Sequence, residues 1–76
     1  MKHLPGLNPK EQKMLELLEQ ADKNTLWGVA IDNVLKNPSV LKVRRLICDL
    51  KSQATDEILV MRSIIGEEGL NQLMAL

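Results

Sequence analysis

The sequence predicts an all-α fold: a compact bundle of four to five short helices, expected to be dimeric. Three observations lead there. Apolar residues recur at helical spacing through most of the chain. Asn8-Pro9 and Asn37-Pro38 each open such a run, with a favoured capping residue followed by a residue suited to the first helical position. Trp27 is the only aromatic residue among 76, so the core must be aliphatic, which suits helices better than a small β-barrel.

Residues 1–8 read as an irregular arm, with turn chemistry at Pro5-Gly6 and with Leu4 and Leu7 able to tuck onto the body. A single helical domain is expected over 9–76. Its first helix should run from Pro9 to about Asp22, capped by Asn8, with Glu11 at the third position of a capping box. Met14, Leu15, Leu17, Leu18 and Ala21 form its apolar side. The second helix, Leu26 to Lys36, is capped by Asn24 or Thr25 and buries Trp27, Ala30, Ile31, Val34 and Leu35. Gly28 inside it costs about 1 kcal/mol against alanine unless it permits a close approach. The third should span Pro38 to about Gln53, with Val40, Val43, Leu46, Ile47 and Leu50 on one face and Ser39 as an alternative cap.

Thr55 is expected to cap a fourth helix through Asp56–Ile65 (DEILVMRSII), which is apolar nearly all round. Ile58, Met61 and Ile65 share one face, Leu59 and Val60 point elsewhere, and Ile64 fills the gap. Such a helix needs cover on several sides, and a chain this short has little to spare. Gly66 should end or kink it. A last short helix over 67–76 would carry Leu70, Leu73 and Met74 on one side.

Charge and composition narrow the function. Ten basic and ten acidic side chains cancel, so the chain lacks the basic excess usual in a dedicated nucleic-acid binder and does not resist self-association. The third helix departs from that balance: residues 36–51 hold five basic side chains and one acidic. Lys42, Arg44, Arg45 and Lys51 could meet phosphates there, with Leu41 beside them. Helical geometry divides them, however. Arg44 and Lys51 lie together, while Lys42 and Arg45 share another side with Asp49, at ordinary ion-pair spacing from Arg45. A solvated face is therefore the favoured reading. Neither Gly28 nor Gly66 fits a helix-turn-helix frame; Arg62 stands where the Gly66 frame needs a small residue.

Nothing marks an enzyme or a cofactor site. His3 is the only histidine and lies in the arm, without the rigid support a general base needs. Cys48, the only cysteine, has no disulfide or zinc partners and no rigidly placed base. It reads as a small apolar residue in a reducing compartment. Asp22-Lys23-Asn24 begins like a calcium loop, but Trp27 takes the glycine position and Asn33 the final glutamate position. No metal, no catalytic residue and no cofactor is expected.

Met1–Pro9 lacks the apolar centre of a secretory signal, and no apolar run nears the roughly 20 residues needed to span a bilayer. A cytoplasmic protein without membrane contact is expected. The sequence reading is therefore a small non-enzymatic regulatory or adaptor protein that binds a protein partner through helix faces, as a homodimer. Leu59, Val60, Ile64, Leu70, Leu73 and Met74 are its candidate interface residues. Trp27 reads first as core and second as an anchor. Leu41 and Cys48, seven apart, read either as scattered surface apolars, which are normal, or as a narrow second contact seam. The alternative is a dimeric DNA-binding regulator that uses the basic helix 38–53.

Overall fold

The structure, a computed structural model, describes residues 3–76; the first two residues of the expected arm lie outside the described residues. Four helices follow one another, α1 (Pro9–Leu18), α2 (Leu26–Lys36), α3 (Val40–Asp56) and α4 (Ile58–Met74), with no strand among the described residues. The fold is compact and all-helical, with four helices rather than a possible five.

The capping box starts α1 as the sequence implies. Asn8 Oδ1 accepts from the Glu11 N–H at 2.8 Å, and Glu11 Oε1 accepts from the Asn8 N–H at 3.0 Å. The helix ends earlier than expected. Beyond Leu18 the N–H groups of Glu19, Gln20 and Ala21 each donate to the carbonyl three residues back. That tighter winding replaces the last α-turn and still delivers Ala21 to the core. Thr25, rather than Asn24, caps α2, its Oγ1 accepting from the Gly28 N–H at 2.9 Å.

Two other boundaries differ from expectation. Ser39, not Asn37, caps α3, with its Oγ accepting from the Lys42 N–H at 3.2 Å; Pro38 therefore precedes the helix. At the other end α3 runs on through Thr55 to Asp56. Thr55 caps nothing: it sits in the last turn of α3 and its hydroxyl donates to the Lys51 carbonyl at 3.0 Å. The joint to α4 is the single residue Glu57, whose N–H closes α3 on the Gln53 carbonyl and whose own carbonyl accepts from Met61 N–H. Ala54, fully buried near this corner, is small enough for α4 to fold back closely.

Gly66 breaks α4 in the middle, at φ 81° and ψ 166°. That backbone region is essentially closed to any residue with a Cβ. Helix ends leave carbonyls in need of partners, and here the Ile64 carbonyl accepts from the Asp22 N–H at 2.9 Å, tying α4 to the α1–α2 loop. The same loop explains Gly28. A Cβ there would stand 1.8 Å from the Asp22 carbonyl oxygen, so glycine lets the start of α2 press against backbone. The close neighbour is this loop rather than another helix.

The core is aliphatic throughout. Met14, Leu15 and Leu18 of α1 meet Val43, Leu46, Ile47, Leu50 and Ala54 of α3 and Met61, Ile64, Ile65, Leu70 and Leu73 of α4. Leu7 closes it from the arm. Burying one such side chain contributes about 1.5–3 kcal/mol relative to leaving it exposed. Only Gly28 and Ile31 of α2 are fully covered, so this helix lies at the edge of the bundle.

Candidate protein-binding surface

An apolar groove of about 230 Å³ opens between α2 and α3, lined by Trp27, Ala30, Val34, Lys42, Arg45, Leu46 and Asp49. Helical spacing builds both walls. Trp27, Ala30 and Val34 fall at i, i+3 and i+7 on α2, and Lys42, Arg45, Leu46 and Asp49 at i, i+3, i+4 and i+7 on α3. Between two large neighbours, Ala30 is too short to reach across, which leaves the gap. Small-molecule sites occupy roughly 300–1,000 Å³, so this volume suits side chains of a partner better than a cofactor. Trp27 is half-buried: it packs on the core and also forms a wall of the groove. Both roles weighed for it in the sequence thus fall to one side chain.

Charged side chains form the groove's rim. Lys42, Arg45 and Asp49 are exposed. The expected Arg45–Asp49 ion pair is not formed; the ion pairs among the described residues join Lys36 to Asp32, Arg44 to Glu11 and Arg62 to Glu67. Lys42 reaches only the Asn37 carbonyl, at 3.4 Å. The groove mouth therefore carries two cations with no carboxylate bound to them.

The other two basic candidates of α3 have partners inside the molecule. Arg44 donates from Nε to Glu11 Oε2 at 3.0 Å and from Nη2 to Glu11 Oε1 at 3.3 Å and the Gly6 carbonyl at 3.0 Å. It clamps the arm and α1 onto α3. The Arg44 hydrogen bond, then the Asn8 N–H, holds the Glu11 carboxyl below the usual carboxylate range, and Glu11 in turn raises the Arg44 guanidinium. Lys51 Nζ donates to the Leu76 carbonyl. The patch that looked like four cations in the sequence is two structural clamps and two heads, those of Lys42 and Arg45, without an ion pair among the described residues.

The proposed interface residues also separate. Leu59, Val60 and Met74 are exposed, whereas Ile64, Leu70 and Leu73 are buried in the chain's own core and are corrected to core residues. The kink at Gly66 turns the second half of α4 so that Leu70 and Leu73 face inward. Ile58, which shares a helix face with the buried Met61 and Ile65, is half exposed, because it is the first residue of α4. Ile58, Leu59 and Val60 form an apolar knob, exposed by 51%, 74% and 47%. Leu41 and Cys48 are exposed on α3. Leu26 and Val29 are exposed apolar residues on α2 that the sequence reading missed; their i, i+3 spacing outside the Trp27–Val34 stripe was the available signal.

Among the described residues no group of three or more His, Cys, Asp or Glu side chains could hold a metal ion, and no helix is long and apolar enough to cross a membrane. Comparison with protein-family models, with curated proteins and with solved structures returns no match.

Proposed function

We propose that this chain is a small regulatory or adaptor protein that acts by binding, not by catalysis, and that the α2–α3 groove is its recognition surface. The observation that carries this reading is an apolar cleft, walled by the chain's only aromatic side chain and rimmed by Lys42, Arg45 and Asp49, two cations to one carboxylate, none of them in an ion pair among the described residues. The partner it fits is a protein segment that presents one or two aliphatic side chains flanked by carboxylates. The aliphatics would leave water against Trp27, Val34 and Leu46, supplying affinity. The carboxylates would meet Lys42 and Arg45, supplying selectivity and a faster encounter.

Selection of peptides from a random display library, on the wild type and on a groove-filling Ala30→Lys variant, tests this. The expected result is enrichment of aliphatic sequences flanked by Asp or Glu on the wild type, lost on the variant while its helical circular dichroism is kept. Their binding should shift Trp27 fluorescence. Peptides that bind both proteins equally, or no enrichment at all, would overturn the reading.

A further inference from the structure

The chemistry required of a partner is present on the chain itself. Asp56 and Glu57 stand directly before Ile58, Leu59 and Val60, so the knob that opens α4 is an aliphatic cluster flanked by two exposed carboxylates. Neither carboxylate forms an ion pair among the described residues. The groove offers the complement: apolar walls with Lys42 and Arg45 at the mouth, which with Asp49 beside them leave it one positive charge in excess.

One molecule cannot satisfy both surfaces at once. Arg45 and Asp56 lie on the same helix, α3, roughly 16 Å apart along its axis. A rigid helix of this kind cannot bend its end back onto its own middle. We infer that the α4 knob of one molecule enters the α2–α3 groove of a second copy, so that this chain associates head to tail. This inference rests on the groove being a recognition surface, as proposed above, and adds the identity of an occupant.

Such an interface joins two different patches, so each added copy leaves one knob and one groove free. The assembly is open-ended unless its rotation closes a ring. A single knob in a single groove is a small contact, and small interfaces are weak and transient. Association should therefore rise with protein concentration and fall with salt, because part of the attraction lies between exposed charges.

The experiment is sedimentation velocity over a wide concentration series, with Leu59→Asp as the knob variant and Arg45→Glu as the groove variant. Both positions are exposed, so circular dichroism should match the wild type; Val60→Glu is a second knob variant should Leu59→Asp fail to fold. The wild type is expected to rise in average mass without stopping at the dimer, and each variant alone to lose that rise. An equal mixture of the two should recover association and stop at twice the monomer mass, because it holds one working knob and one working groove. A wild type that stays monomeric would overturn the inference. So would one that plateaus at a dimer indifferent to Arg45→Glu, the behaviour of a symmetric knob-to-knob contact. If the inference fails while the display selection still yields groove-dependent peptides, the binding function stands with a different occupant.

Discussion

Leu73 and Met74 are neighbours near the end of α4 with opposite surroundings: Leu73 is fully enclosed by the core and Met74 stands out into water. Leu73→Ala should cost about 2–5 kcal/mol, the range for truncating an enclosed aliphatic side chain, while Met74→Ala should change stability little. Urea unfolding of the two variants checks this, and equal effects would mean that the end of α4 is not seated as described. Glu11 offers a finer test. Glutamine also completes a capping box, so Glu11→Gln keeps the cap and removes only the charge facing Arg44. Because Glu11 titrates below its ordinary range in the fold, its charge contributes stability above the unfolded-state pKa. That contribution disappears as pH falls through the lowered folded value. The variant should be somewhat less stable than the wild type at neutral pH and match it in acid. A gap that persisted in acid would assign the effect to something other than the ion pair. The sequence made Glu11 legible as a cap residue, since Asn8 is three residues away. It did not reveal Arg44 as its partner, because that contact spans 33 positions and depends on how α1 meets α3.

At the level of elements, caps and periodicity located the four helices well, and the misreadings lie at their ends. Thr55 was a reasonable capping residue by type; what decided otherwise was that Glu57 alone suffices to turn the chain. Gly66 was legible as an interruption because a glycine stands amid helix formers. Whether it would end α4 or kink it depended on where Leu70 and Leu73 could be buried. Two glycines make distinguishable predictions. Gly66→Ala should lose about 1–3 kcal/mol from backbone strain alone, since nothing lies within 4 Å of the position a Cβ would take. A D-alanine there, introduced by chemical synthesis, accommodates positive φ and should restore most of the loss. Gly28→Ala should also destabilise, by about 1–3 kcal/mol from overpacking against the Asp22 backbone. Against this stands a gain of roughly 1 kcal/mol in helix propensity, but the atoms met at 1.8, 2.7 and 2.9 Å are all backbone, which puts the cost toward the upper end and leaves a net loss. Thermal unfolding of the three proteins is the measurement, and a stabilised Gly28→Ala would show that the loop yields freely.

Across the whole molecule, α1, α3 and α4 share the core and α2 borders it, which is why a groove exists at all. The α2 stripe was readable from Trp27 to Leu35, but a sequence cannot state how far a stripe will be covered. That depends on how many helices reach it, and α3 is the main neighbour of α2. The surplus of apolar surface in residues 56–65 was equally readable. Leu59 and Val60 are exposed as the sequence reading had them, whereas Ile64 is buried and Ile58 takes its place on the surface. The point that unites the molecule is Asp22. Its N–H holds the Ile64 carbonyl, its carbonyl accepts from the Thr25 hydroxyl, and its Oδ1 accepts from the Asn24 N–H. An amide in an exposed loop ordinarily trades its hydrogen for solvent deuterium whenever the loop frays. The amide of Asp22 can do so only when α4 withdraws from the α1–α2 loop, and that separation opens the core. Its exchange, followed by NMR, should therefore be as slow as that of helix-interior amides such as Leu50, which exchange through global opening. One loop hydrogen would then time the unfolding of the whole molecule.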